Sequence, residues 1–440
     1  MKSFRLAAAI TLLVSLTAVA HEKPASVVDA GHLYAPSVLP DRVILTLSGD
    51  SAHTQDVSWR TNSTVEQAFV EYAVATGGPY FVKNAARIPA TTNPFRSDLG
   101  PCHLHTARMG GLTPATRYVY RVGDGKNWSE WFQFSTASED ATPFRFIYFG
   151  DAQNDLRSMW SRVIREAQAD APHASFMLHA GDLVNRANRD AEWGEWFGGG
   201  GWLNAMMPSL ATPGNHEYSR LGGIGPKQLS THWQPTFAFP ENGPEGNEAL
   251  RETVYWIDYQ GVRFISLNSN EQQEAQVPWL EQVLANNPCR WTILTFHHPI
   301  YSTASGRDNA RIRELWKPLI DKYRVDLVLQ GHDHSYGRTG LDVPENLDNG
   351  MRMQKQGTVY VVSVSGPKQY SLDRRELFQR AGSGVQLYQI IDIDGDRLTY
   401  RAHLANGTLY DGFELIKQPG EANQLIEQIP STPEARKPQP

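Results

Sequence analysis

Five short polar segments, met in a fixed order along the chain, constrain its fold more than any other feature. They are Gly150-Asp151-Ala152-Gln153, His179-Ala180-Gly181-Asp182-Leu183-Val184-Asn185, Gly214-Asn215-His216-Glu217-Tyr218, Phe296-His297-His298-Pro299-Ile300-Tyr301 and Gly331-His332-Asp333-His334. Four of the five sit beside apolar runs that read as buried strands, at 144–149, 175–178, 291–296 and 325–329. A further such run lies at 264–267. Taken singly, an Asp after a Gly is a turn residue or a helix cap, and a His pair is an ordinary surface or core feature. Together they fall where an open α/β sheet places its ligand site, in the loops beyond the strand ends.

The texture around these segments divides the chain. From about Asp41 to Thr136, short alternating runs separated by turn residues predict a β-sandwich, with strands at 43–47, 56–60, 69–72 and 116–122. This part resembles a fibronectin type III module, with Trp59 as a packing residue. After Ala141-Thr142-Pro143 the pattern changes to apolar strands alternating with helical stretches at 158–169, 278–285 and 308–322. A hairpin is expected at 384–393 and 397–404, turning at Asp394-Gly395-Asp396. The reading is therefore an N-terminal all-β domain over 27–140, an α/β domain over 141–417, and a flexible tail over 418–440 rich in Pro, Glu and Gln.

Residues 1–20 carry Lys2 and Arg5, an apolar stretch and Ala18-Val19-Ala20, the pattern of a secretory signal peptide. Export to the periplasm or the medium is expected, with no membrane anchor, since no later segment has 18 uninterrupted apolar residues. The 41 Lys+Arg against 47 Asp+Glu give a net charge of −6. That balance argues against a nucleic-acid scaffold. The two cysteines, Cys102 and Cys289, exclude a thiolate zinc cluster and lie in different segments. Any metal must be held by His, Asp and Asn.

Carboxylates, an amide and imidazoles suit Mn, Fe or Zn, and a carboxylate bridging two cations is how a two-metal hydrolase holds its pair. The order GDAQ, GDLVN, GNHEY, HHPIY, GHDH resembles the calcineurin-like metallophosphoesterases. With the sandwich ahead of it, the chain from about Asp41 to Leu415 resembles their purple acid phosphatase branch. The resemblance implies two packed β-sheets flanked by helices in the α/β domain. It implies that Asp151, Asp182 and His334 bind a first metal, and that Asp182 as bridge, Asn215, His297 and His332 bind a second. His297 is chosen over His298 because the family's ligand sits two residues before the proline.

Two departures stand out. Where the branch has a tyrosine three residues after the bridging aspartate, this chain has Asn185; where many relatives have a His two residues after the first aspartate, it has Gln153. The Gln153 amide supplies a weak ligand, or water takes that place. Without phenolate or thiolate nothing favours ferric iron, so two divalent or mixed-valence ions, Mn, Zn or Fe, are expected.

The expected activity is hydrolysis of phosphate monoesters by a metal-bridged hydroxide. Asn215 and His216 would hold the phosphoryl group, and His216 or His298 would meet the leaving group. Arg307 stands where the family often has another histidine, and Tyr370 is read as a residue at the pocket edge. A phosphodiesterase or nucleotide hydrolase on the same centre is the alternative; a non-catalytic binding or adhesion protein is the rival from another class. His179 either orients Asp182 or fills the core. His103 and His105 are read as satisfied surface or interdomain residues. Gly198-Gly199-Gly200-Gly201 lacks the Lys-Ser/Thr of a phosphate loop and is read as a flexible connection.

Overall fold

A computed structural model describes residues 28–220, 224–341, 357–418 and 421–437. The signal-peptide reading therefore lies outside the described residues. Two sheets face each other across the main core. One has seven strands, in the order Tyr255–Tyr259, Val262–Ser266, Trp291–Thr295, Leu327–Gln330, Val359–Val362, Tyr336–Thr339 and Phe378–Gly382. Its four neighbours from Val262–Ser266 to Val359–Val362 run parallel, the first three joined by the helices Val277–Ala285 and Ala310–Lys322. The other sheet centres on the parallel strands Phe144–Phe149, Phe176–His179 and Ser209–Ala211.

Aromatic rings fill the space between the sheets. Phe146 stacks on Phe176 at 5.1 Å between centroids, and both meet Phe264 edge-on at 5.4 and 5.2 Å. Such pairs add about 1 kcal/mol each beyond the area they bury. Helices Val277–Ala285 and Ala310–Lys322 close the outer face of the seven-stranded sheet through Leu280, Val283, Ile312, Trp316 and Ile320. The expected strands and helices are present within a few residues, with one displacement: the helix expected from Ser158 runs Ser161–Asp170 after a wide turn at Leu156–Trp160.

The sandwich is not a separate bead. Its strand Asp41–Thr46 pairs in parallel with Ser209–Ala211 through Thr46 and Ser209, so one eleven-stranded sheet runs from the sandwich into the α/β domain. An ionic cluster reinforces this seam. Asp190 of the α/β domain is buried and accepts Arg42 at 2.7 and 2.8 Å, Arg60 at 3.1 Å and His232 Nε2 at 3.1 Å. Trp59 is buried in the sandwich core, as its packing role requires. The buried His105 bonds Thr61 and Thr92, and His103 Nδ1 bonds the Val65 carbonyl.

Two expectations fail. The four glycines are not a flexible connection: Gly198, Gly199 and Gly200 end the helix Asp190–Gly200, and Gly201 opens the 3₁₀ turn Gly201–Ala205. Gly199 lies so close to Trp160 that a Cβ would sit 2.7 Å from its ring, which explains a glycine without any need for mobility. The stretch after Gln418 is not a frayed tail where it is described. Gln424–Glu427 pairs with Leu409–Ile416, and Glu427 bonds the buried Arg338 at 2.7 and 3.0 Å. Composition misread it because its stabilisation is tertiary. Cys102 and Cys289 are both free.

Candidate metal centre

Each polar segment leaves a strand end and turns sharply. Phe144–Phe149 delivers Asp151 and Gln153, Phe176–His179 delivers Asp182, and Ser209–Ala211 leads to Asn215 and His216. From the second sheet, Trp291–Thr295 delivers His297 and Leu327–Gln330 delivers His332 and His334. Asp182, His332 and His334 adopt left-handed backbone, at φ 53°, 76° and 46°. Non-glycine residues in that region cost energy and concentrate at functional sites.

The side chains converge. Asp151, Asp182 and His297 are all buried and place ligand atoms within 4.8 Å of one another. His334 Nε2 lies 3.2 Å from Asp151 Oδ2, His297 Nε2 lies 3.3 Å from Asp182 Oδ2 and 3.2 Å from Asn215 Oδ1, and His332 Nδ1 lies 3.2 Å from His297 Nε2. The far nitrogens of two rings are already spoken for: His297 Nδ1 bonds the Ala180 carbonyl at 2.9 Å and His334 Nδ1 the Lys368 carbonyl at 3.0 Å. In the neutral ring, donation from those nitrogens leaves Nε2 with the lone pair, the usual preparation of a ligating imidazole. Without cations, burial opposes charge on His297, but the carboxylates of Asp182 and Asp151 outweigh it and hold the ring protonated, raised to about 10.

Gln153 is buried in the same cluster. Its amide nitrogen lies 2.7 Å from Asp182 Oδ2 and 3.3 Å from His334 Nε2, while Gln153 Oε1 and Asp151 Oδ2 have no hydrogen-bond donor. Buried acceptors without donors are costly, and cations would satisfy them. Burial pushes the Asp151 carboxyl up to about 8 and the His334 imidazole down to about 3. Without cations the cluster thus resists charge on both residues. The donor set fits divalent ions held by oxygen and imidazole nitrogen.

Small residues make the cradle possible. A Cβ at Gly331 would collide with Asp151 Oδ1, and one at Gly214 with Asp182 Oδ1. The same two carboxylate oxygens accept the main-chain N–H groups of His332 at 2.6 Å and His216 at 2.8 Å.

His216 and His298 flank the cluster on different sides. His216 Nδ1 bonds the Asn185 carbonyl at 2.6 Å and the ring borders an open cleft. His298 Nδ1 bonds Ser269 Oγ at 2.8 Å and its ring lies 4.1 Å from that of His332. Burial, then the charge of His297, pushes His298 down to about 3. Arg307 lies over the Tyr370 ring at 4.6 Å and donates to the His332 carbonyl, and Tyr370 packs on His334 at 4.6 Å. His179 does not touch Asp182; it is packed among Phe149, Trp160 and Trp196, a core residue whose burial pushes it down to about 3.

Sequence reasoning passed over two carboxylates. Glu217 is fully buried and accepts the N–H groups of Asp182, Leu183, Val184 and Gly214 at 2.7 to 3.2 Å. Asp333 is buried between His332 and His334 and accepts the N–H of Thr303 at 2.6 Å, with Arg307 at 3.5 Å from its other oxygen. Both were visible inside the motifs; only their backbone partners, distant or local, reveal what they do.

Comparison with known proteins fits this geometry. The model for the N-terminal domain of purple acid phosphatases matches residues 40–136, and that for calcineurin-like phosphoesterases matches residues 144–336. The chain belongs to the calcineurin-like metallophosphoesterases, in their purple acid phosphatase-like branch. It is similar to an uncharacterized protein of Mycobacterium tuberculosis, with 29% identity covering 72% of this chain and 68% of that one. Human acid phosphatase type 7 is 26% identical, covering 86% and 88%. A purple acid phosphatase from yellow lupin seeds superposes with a TM-score of 0.71 at 19% identity, covering 86% of this chain and 75% of that one. The chain is thus a metal-dependent phosphoester hydrolase.

Proposed function

We propose that this metallophosphoesterase is an exported phosphomonoesterase with two metal ions. The observation that carries the reading is the convergence of seven ligand-type side chains, with two buried oxygens, Asp151 Oδ2 and Gln153 Oε1, lacking donors. Asp151, Asp182 and His334 would hold one ion, and Asp182, Asn215, His297 and His332 the other, with Gln153 completing the first set through its oxygen. When bound, the ions supply a nucleophilic water at neutral pH and draw charge off the phosphoryl oxygens.

The remaining steps belong to side chains. Asn215 and His216, which line the open cleft, would hold the phosphoryl group, and Arg307, stacked over Tyr370, adds a cation beside His332. Proton delivery to the leaving oxygen falls to His216 rather than His298. The His216 ring borders the cleft with Nδ1 anchored on Asn185, leaving Nε2 as the exchangeable position, whereas His298 is held uncharged among other imidazoles. Residues 1–20 support export by their composition. No helix among the described residues is long and apolar enough to cross a membrane.

The test is hydrolysis of nitrophenyl phosphate and bis-nitrophenyl phosphate by protein reconstituted with Mn or Zn. Faster turnover of the monoester, lost in chelator, supports the reading. Preference for the diester assigns the centre to a phosphodiesterase, and full activity in metal-free protein overturns the mechanism.

A further inference from the structure

Beside the metal cluster lies a cleft of about 460 Å³ that opens on Asn215 and His216. Its chemistry is one-sided. Three cations line it, Arg186, Arg189 and Lys227, together with the amides of Asn185 and Asn188, and among the described residues no carboxylate does. In a chain with a net charge of −6, such a lining is a local reversal of sign. Arg186 is bound to Glu192 at 2.6 Å and Arg189 stands 3.7 Å from Asp98, so both are partly neutralised and held in place. Lys227 is exposed and has no ion-pair partner among the described residues. It also lines a second cavity of about 440 Å³ that includes His298, Glu271 and Asp308, so Lys227 is shared by the two openings beside Asn215.

We propose that this cleft takes a second phosphate carried by the leaving group, making the preferred substrates alkyl bisphosphates, with Lys227 as the residue that sets the preference. The inference rests on the phosphomonoesterase reading of the metal centre and adds the substrate class. Guanidinium forks and amide N–H groups match phosphate oxygens, and an unpaired ammonium gains most from a polyanion because it loses no existing partner. A substrate with one phosphate and a neutral leaving group fills the metal centre and leaves the cleft to water.

The test compares fructose 1,6-bisphosphate with fructose 6-phosphate, which present the same kind of ester bond. The wild-type protein should show a KM about tenfold lower for the bisphosphate, a preference that shrinks with added salt. Lys227→Gln should raise the bisphosphate KM by several-fold more than the monophosphate KM with little change in kcat, and Lys227→Arg should restore the preference. Equal effects on both substrates, or no preference in the wild type, overturn the proposal. A calorimetric titration with pyrophosphate against orthophosphate reads the same cleft without turnover. Tighter pyrophosphate binding that Lys227→Gln abolishes supports the proposal even for protein that hydrolyses neither sugar phosphate. Equal binding of the two anions by the wild type rejects it.

Discussion

Glu217 accepts the main-chain N–H of Asp182 at 2.8 Å, and through its two oxygens it also gathers Leu183, Val184 and Gly214. One buried carboxylate thus fixes the turn that carries the candidate bridging aspartate to the turn that carries Asn215. Glu217→Ala would orphan four buried donors. The expected loss is on the order of 3 to 5 kcal/mol in unfolding free energy, together with a fall in bound metal. Denaturant unfolding and elemental analysis of the purified variant check both.

Asp182→Asn should empty the centre more completely than Gln153→Ala. As the proposed bridge, Asp182 would contribute charge to two cations, whereas Gln153 would complete one set of ligands. Metal content should drop from near two per chain in the first variant and stay there in the second. Equal losses would make Gln153 a full ligand.

Acid stability should depend on the seam between the sandwich and the α/β domain. Burial raises the Asp190 carboxyl, but the bonds from His232 and Arg42 outweigh it and hold the group well below the usual carboxylate range. The folded state therefore binds a proton there less readily than the unfolded chain. Its contribution is complete above the unfolded pKa of about 3.9 and is lost as pH falls through the folded value. Unfolding midpoints measured between pH 6 and pH 2 should fall steeply at the acid end in the wild type, and Asp190→Asn should flatten that limb while lowering the plateau.

His216→Ala should slow alkyl phosphates far more than nitrophenyl phosphate, because an alkoxide needs a proton to leave and a nitrophenolate does not. A leaving-group series reads this directly. A uniform loss would leave His216 as a phosphate binder only.

Much of this could be read from residue order. The strand-then-polar-segment rhythm located the ends of four strands, because parallel strands buried on both faces must be continuous apolar runs and their ends must turn, whereas the three-residue strand Ser209–Ala211 ahead of Asn215 was too short to show. The sandwich was equally plain in its alternation. What escaped was decided by partners distant in sequence. Gly199 owes its identity to Trp160, Gln424–Glu427 to an open strand edge and Arg338, and Asp190 to two arginines of the sandwich. None of those pairings leaves a periodic trace.

The segment 424–437 has a consequence for how the site is completed during synthesis. Lys437 reaches the Gln369 carbonyl, 68 residues earlier, and its N–H bonds Ser383 Oγ, while Glu434 accepts the N–H of Ala381 and pairs with Arg374. Gln369 in turn belongs to the turn that presents Lys368 and Tyr370 to His334. A growing chain that has already made every candidate ligand, the last being His334, still lacks the clasp on that turn until about 100 further residues, up to Glu434, have emerged. Metal capture at the candidate ligand His334 should thereby wait for the emergence of residues 434–437, and a proteolytic cut close behind Glu427 acts on the same turn.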